Sequence, residues 1–235
     1  MDADLRFALE LADAADALTL PRFHSRQFVV ETKADATPVT DADRATEELL
    51  RERIARERPG EGVLGEEYGE RESVSARWIV DPIDGTRNFT RGVPIWATLI
   101  ALERDGDFVC GVVSAPALGR RWWGSRGGGA FADGMRLRVS ATRELAEAAV
   151  SCTYGRDLTA LEPLTWHARG LGDFWSHMLV AEGALDAAVD ASLKLWDYAA
   201  VVPIVTEAGG RSEPFGRQWL STNALLHDAV TGALG

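Results

Sequence analysis

The sequence predicts a layered α+β or α/β protein with two sheets, and three observations lead there. Residues 2–56 carry two stretches of helical periodicity, residues 77–139 change to short strands with a hairpin, and from residue 149 strands and helices alternate. With 235 residues, 46% hydrophobic and 26% charged, the chain can bury a sizeable core. It fits one large unit or two small lobes, the expected division being residues 1–145 and 146–235.

Taken in order, Leu5, Leu9, Ala12 and Ala15 or Asp16 recur at helical spacing within residues 2–19, and Pro21 is expected to stop that helix. Phe28-Val29-Val30 reads as a short strand. Thr40 or Asp41 then caps a helix running to Arg56, with Leu49, Leu50 and Ile54 turned inward. Gly62-Val63-Leu64-Gly65 is strand-like, and Trp78-Ile79-Val80 is an apolar strand ending directly in Asp81. Trp96 to Glu103 and Phe108 to Ser114 flank Asp105-Gly106, a strong hairpin signal. Arg121 to Gly124 and Leu137 to Val139 suggest further strands on either side of the turn cluster Gly127-Gly128-Gly129. The second half reads as strand (149–152), helix (174–182), strand (185–189) and helix (197–208), with Asn223 capping a final helix.

Bulk properties exclude several classes of function. The formal net charge is -11, and a nucleic-acid partner would need a basic stripe instead. Cys110 and Cys152 are the only cysteines, too few for a disulfide framework and without zinc spacing. Residues 1–10 are too charged for a signal peptide, and no apolar run approaches membrane-spanning length, so a soluble cytoplasmic protein is expected.

The run Asp81-Pro82-Ile83-Asp84-Gly85-Thr86 concentrates negative charge where a strand meets a turn. Two carboxylates held close together repel unless a cation sits between them. An all-oxygen set of that kind suits Mg²⁺ or Mn²⁺, which would also reverse the local potential in an acidic protein. If Thr86 opens a helix, the free amides there would hold a phosphate. Taken alone, the run reads equally well as a β-turn after a strand-end cap. Glu66-Glu67 alone would be a solvated pair, and Asp197 alone an ordinary helix cap.

Together these segments are more specific. Gly65-Glu66-Glu67, then Trp78 to Phe89 through Asp-Pro-Ile-Asp-Gly-Thr, then Leu195-Trp196-Asp197 with Val205-Thr206-Glu207-Ala208-Gly209-Gly210, resembles the inositol monophosphatase superfamily in order and over nearly the whole chain. The resemblance implies an αβαβα layered sandwich and a magnesium-dependent phosphomonoesterase. It also implies two to three ions per site, with Mn²⁺ as a possible substitute, and a homodimer. Carried over by position, Glu66, Asp81 and the carbonyl of Ile83 would hold one ion, and Asp81, Asp84 and Asp197 a second. Glu66 would share a third, and Glu67 would play a lesser part beside it. Thr86 paired with Asp43 would activate the attacking water, and Gly85 and Thr86 would hold phosphate. Lys33 and Asp35 match a loop near the third ion.

Substrate choice is expected in the second half. Gly172-Asp173-Phe174 followed by Leu179-Val180-Ala181-Glu182-Gly183 is similar to the histidinol-phosphatase branch, and Asp173 and Asp190 match substrate-contacting positions. Two carboxylates there suit a cationic substrate such as L-histidinol phosphate. Phosphatases of the same superfamily acting on inositol phosphates, sugar bisphosphates or adenosine 3′,5′-bisphosphate are the rival reading. A catalytically idle metal-binding or regulatory protein is a second. Arg87 stands where a small residue is common, and either phosphate contact or balance of the acidic cluster would explain it. His177 is read as a structural helix-face histidine.

Overall fold

The computed structural model describes residues 2–34, 36–71, 76–153, 155–191 and 194–235, so Asp35 lies outside the described residues. The chain opens with α1 (Ala3–Ser25), a ribbon of β1 (Val30–Thr32) and β2 (Pro38–Thr40), and α2 (Asp41–Glu57). There follow β3 (Gly62–Gly65), β4 (Gly69–Arg71), β5 (Ala76–Asp84), the short helix α3 (Thr86–Arg91), β6 (Ala97–Arg104), β7 (Asp107–Ala115), β8 (Arg120–Ser125), β9 (Gly129–Ala132) and β10 (Met135–Arg136). The second half holds β11 (Ala149–Cys152), α4 (Gly155–Leu161), β12 (His167–Arg169), α5 (Asp173–Ala181), β13 (Ala187–Asp190), α6 (Leu195–Tyr198), α7 (Val201–Glu207), β14 (Arg211–Phe215), β15 (Gln218–Thr222) and α8 (His227–Leu234).

Strands β3 to β10 form an eight-stranded sheet in the order β10-β9-β8-β7-β6-β5-β3-β4, and β11 to β15 a five-stranded sheet in the order β12-β11-β13-β15-β14. In the larger sheet only β3 and β5 run parallel; in the smaller, β11 pairs in parallel with both β12 and β13. Burial patterns explain the stacking. Trp78, Val80, Ile100, Leu102 and Val112 turn one face of the large sheet toward Leu5, Leu11 and Ala15 of α1 and Leu50 and Ile54 of α2. Ile79, Leu99, Val113 and Trp122 turn the other face toward Phe174 and Met178 of α5 and Val201, Ile204 and Val205 of α7. Val180 on α5 packs on toward Ala188 of the small sheet, whose far side meets Leu161 of α4 and Val230 of α8. The layers are therefore helices, large sheet, helices, small sheet, helices.

Trp78 shows how tightly the first interface is built. It is fully buried, donates from Nε1 to Glu61 Oε2 at 2.6 Å and meets the Phe7 ring edge-on at 5.2 Å. Trp78→Ala is expected to cost about 3–5 kcal/mol, through lost transfer energy and a cavity the sheet cannot close. The denaturant midpoint is the measurement.

Several elements depart from the sequence expectation. Pro21 lies inside α1 instead of ending it. The helix continues because Phe23, one half-turn on, packs against Phe89 and Trp96 at centroid distances of 5.5 and 5.3 Å, and that packing outweighs one missing backbone bond. The first strand is shifted to 30–32 by its pairing with β2. Leu137 to Val139 is not a strand; the hairpin partner of β9 is Met135–Arg136. The expected helix 197–208 is two pieces, α6 and α7. Pro203 has no N–H for the carbonyl of Ala199, so the helical ladder is interrupted between them. Asn223 Oδ1 accepts from Leu226 N, so it caps the turn before α8 and the helix starts at His227.

Candidate active site

Strand β5 carries the first two carboxylates, and its irregularity aims them. The register against β6 shifts between Asp81 and Asp84. Ile79 faces the α7 layer, whereas Ile83, four residues on, packs with Phe23 of α1 and Ala42 of α2. The bulge at Pro82-Ile83 thus breaks the two-residue alternation, and Asp81 and Asp84 converge at the strand end. Asp81 Oδ1 accepts from Ile83 N at 3.0 Å, and Asp84 Oδ2 accepts from Phe174 N at 2.8 Å. Asp197 reaches the same point from α6. One carboxylate oxygen from each of Asp81, Asp84 and Asp197 lies within 4.8 Å of the others.

Such proximity is costly without a cation. Burial raises Asp81 well above the usual carboxylate range, reinforced by the charges of Glu66, Asp84 and Asp197. Burial likewise raises Asp84, with Asp173 and Asp197 adding to it. Three converging carboxylates with an all-oxygen donor set fit a hard divalent ion. The protein brings cations of its own to this region: Arg87 lines the cleft, and Lys33 Nζ stands 2.8 Å from Glu66 Oε1 and 2.6 Å from Glu67 Oε1. Burial opposes the Lys33 charge, but the two carboxylates prevail and hold its pKa above the ordinary value.

Glu66 lines the cleft of about 250 Å³ that also contains Asp81, Asp84, Thr86 and Asp197. Its position depends on Glu47, which sequence reading passed over. The fully buried Glu47 carboxylate accepts from Glu67 N (2.7 Å) and Tyr68 N (3.1 Å) and pairs with Arg51 at 2.7 Å. A Cβ at Gly65 would stand 2.1 Å from Glu47 Oε1, so glycine is required where the loop crosses that carboxylate. Only its place on the inner face of α2 signals Glu47 in the sequence. Glu47→Ala leaves the Glu67 and Tyr68 amides without this acceptor and takes the ion pair from Arg51, which keeps its bond to the Gly69 carbonyl; a loss of about 2–4 kcal/mol in stability is expected, read by thermal unfolding.

Asp43 and Thr86 meet. Thr86 Oγ1 stands 3.2 Å from Asp43 Oδ1 and 3.0 Å from the Ile83 carbonyl. The other Asp43 oxygen accepts from Thr40 N at 2.9 Å in a reciprocal capping box, so the cap that starts α2 also fixes the acid behind Thr86. Burial raises Asp43 to about 6 against the lowering effect of its Thr40 bonds. Gly85, at φ 81, lets the chain turn into α3; a Cβ there would lie 3.0 Å from the Ile95 carbonyl and 3.3 Å from Asp173 Oδ2.

A second cavity, of about 330 Å³, adjoins the first through Asp84, Arg87, Asp173 and Asp197 and extends to His177, Asp190, Tyr198 and Trp219. Both expected substrate carboxylates therefore line one space. Burial and the charge of Asp190 raise Asp173 to about 6, with Arg87 opposing. Asp173 is held at φ 46, and Asn88 Nδ2, anchored 2.8 Å from the Ile95 carbonyl, stands 3.5 Å from its Oδ2. Asn88, Tyr198 and Trp219 were not singled out by sequence reading. Arg87 lines both cavities.

The model of the "Inositol monophosphatase family" matches residues 1–230. A protein named histidinol-phosphatase from Mycobacterium tuberculosis is 50% identical, over 97% of this chain and 96% of its own. One of the same name from Streptomyces coelicolor is 46% identical, over 98% and 96%. Among solved structures, the extragenic suppressor protein suhB from Bartonella henselae superposes with a TM-score of 0.91 at 30% identity, covering 99% of this chain and 98% of that one. Enzymes of that family are phosphatases that use divalent metals. The five-layer stack, the converging carboxylates and these matches agree: the chain belongs to the inositol monophosphatase family.

Proposed function

We propose that this chain hydrolyses L-histidinol phosphate to L-histidinol and phosphate, as a magnesium-dependent histidinol-phosphatase of histidine biosynthesis. The observation that carries the reading is the pair Asp173 and Asp190 in the cavity that adjoins the carboxylate cluster. The names of its relatives at 46–50% identity support it. A polyol phosphate would bring no positive charge to that pair, whereas histidinol phosphate carries an ammonium one carbon from the ester carbon and an imidazole beyond it.

In this reading Glu66, Asp81, Asp84, Asp197 and the Ile83 carbonyl hold two to three Mg²⁺ ions, with Mn²⁺ able to replace them. Bound there, the ions neutralise the carboxylates and make coordinated water more acidic. The residues supply the rest. Ionised Asp43 accepts the Thr86 hydroxyl proton, leaving Thr86 lone pairs to receive the proton of the attacking water, and Glu66 orients that water from the other side. The amides of Gly85 and Thr86 precede the first intrahelical donor of α3, Phe89 N, which bonds Gly85 O at 3.0 Å; they face the phosphate oxygens. Asp173 and Asp190 receive the ammonium. A homodimer in the cytoplasm completes the proposal; no helix among the described residues is long and apolar enough to cross a membrane.

The test is a substrate panel with Mg²⁺: L-histidinol phosphate, myo-inositol 1-phosphate, fructose 1,6-bisphosphate and adenosine 3′,5′-bisphosphate. Histidinol phosphate is expected to have the highest kcat/KM by about a hundredfold, the worth of two charge-assisted contacts. Comparable turnover of a polyol phosphate would overturn the assignment. Chelation of the metal is expected to abolish turnover of every ester, with recovery on adding back Mg²⁺.

A further inference from the structure

The outer cavity ends in a hydrogen-bonded chain that no part of the hydrolytic machinery uses. Trp219 Nε1 donates to Ser212 Oγ at 2.9 Å. Ser212 Oγ stands 2.9 Å from Ser221 Oγ, and Ser221 Oγ 2.8 Å from His177 Nδ1. Ser221 is fully buried and does not line the cavity, whereas His177 does. With Nδ1 engaged by a residue outside the cavity, Nε2 is the ring nitrogen left to face it. Trp219 has only a donor to offer, so Ser212 accepts from it. The arrangement that gives every hydroxyl hydrogen an acceptor runs Trp219 to Ser212 to Ser221 to His177. Nδ1 is then the acceptor, and the His177 proton sits on Nε2. Burial favours this neutral ring, and the nearby Asp190 charge opposes that only in part.

The same end of the cavity has an aromatic wall. The rings of Tyr198 and Trp219 stack with centroids 3.6 Å apart and planes 8° from parallel. Tyr198, Trp219, His177 and Asp190 line the outer cavity and are absent from the cleft around the carboxylate cluster, which places them beyond the ester-cleaving end. A planar wall, a fixed N–H donor and two carboxylates are complementary to a group that is flat, carries a hydrogen-bond acceptor and bears a cation nearby.

We propose that His177, set as an Nε2–H donor by the Trp219–Ser212–Ser221 chain, is a specificity-determining residue that binds the unprotonated nitrogen of a substrate's heteroaromatic ring against the Tyr198–Trp219 wall. This rests on the reading of the substrate as histidinol phosphate and adds which residues read its ring. Ser221 and Ser212 are positioning residues, acting through His177.

The experiment compares L-histidinol phosphate with O-phosphoethanolamine, which keeps the ester and the vicinal ammonium but has no ring. Both are measured with Mg²⁺ on the wild type, His177→Phe and Ser221→Ala. His177→Phe keeps a planar ring and removes the donor. It is expected to lower kcat/KM for histidinol phosphate about tenfold to a hundredfold, mainly through KM, the worth of one buried hydrogen bond. Turnover of O-phosphoethanolamine is expected to stay within about twofold, by the same reasoning. Ser221→Ala, which removes the hydroxyl that joins Ser212 to His177 and sets the tautomer, is expected to shift the same ratio in the same direction by a smaller factor. Equal losses on both esters, or an unchanged ratio in both variants, overturns the proposal while leaving the histidinol-phosphatase reading intact. Failure of the wild type to hydrolyse histidinol phosphate overturns both. Should His177→Phe not fold, the Ser221→Ala ratio and calorimetric binding of L-histidinol to that variant decide the matter by the same criteria.

Discussion

Asp84→Asn is expected to reduce turnover by about a thousandfold or more while making the metal-free protein more stable. The two effects have one cause. Asp84 shares a space of 4.8 Å with Asp81 and Asp197. At such a separation and an effective dielectric near 20, one like-charge pair costs roughly 3 kcal/mol. The substitution keeps the shape of the side chain, and its carbonyl oxygen can still accept from Phe174 N, the bond that Asp84 Oδ2 now makes. What disappears is a charge that, in the proposed reading, would hold a divalent ion and, with it, several kcal/mol of transition-state stabilisation. Relief of about 2 kcal/mol of repulsion corresponds to roughly 4–8 °C in Tm for a chain of this size.

The pH dependence carries the same signature. Asp81 and Asp84 have folded-state pKa values above the ordinary carboxylate value, and Asp43 is raised to about 6. At these three groups the folded metal-free protein therefore binds more protons than the unfolded chain. Their contribution to stability is fully present below the unfolded value near 4 and is lost as pH rises through the higher folded values. Mg²⁺ should remove much of that slope. A series of melting curves in chelator and in Mg²⁺, for wild type and Asp84→Asn, measures all of this. A variant less stable than wild type without metal would contradict the account.

The second large effect concerns selectivity. Asp173→Asn is expected to lower kcat/KM for L-histidinol phosphate by about tenfold to a hundredfold, one charge-assisted hydrogen bond, while changing that for myo-inositol 1-phosphate little. Asparagine is the informative substitution because Asp173 sits at φ 46, a conformation asparagine adopts at lower cost than alanine. Alanine would also remove one of the two acceptors of Asn88 Nδ2, which stands 3.5 Å from Oδ2 and 2.8 Å from the Ile95 carbonyl. An unchanged ratio between the two esters would remove Asp173 from substrate recognition.

Local chemistry explains which parts of the structure were legible from sequence. The hairpin turn at Asp105-Gly106 was readable because positive φ at both positions, 53° and 83°, favours that residue pair. Thr40 was readable as a cap because its geometry is local. Asp81, Asp84 and Thr86 lie within six residues, so their proximity survives translation into sequence, and Glu66 and Asp197 were reached through resemblance. Less legible was whatever depends on distant packing. Pro21 reads as a stop until Phe23 is seen against Phe89 and Trp96. Glu47 reads as one more charge on a helix until Glu67 and Tyr68 turn their amides onto it. Tyr198 and Trp219 stack across 21 positions of chain, and no periodicity encodes a meeting of that kind.

The bond from Phe174 N to Asp84 Oδ2 has a further consequence. It joins the first turn of α5, where Asp173 would receive the substrate's ammonium, to a carboxylate that would hold an ion. Any shift of that turn on binding an amine is felt by an oxygen of the ion site, and any shift of Asp84 on binding an ion is felt by the turn. Thermodynamic reciprocity then requires that the alcohol product alter ion affinity by the same factor by which the ion alters product affinity. An ion titration repeated with and without L-histidinol would read that factor directly, in a protein that is not turning over.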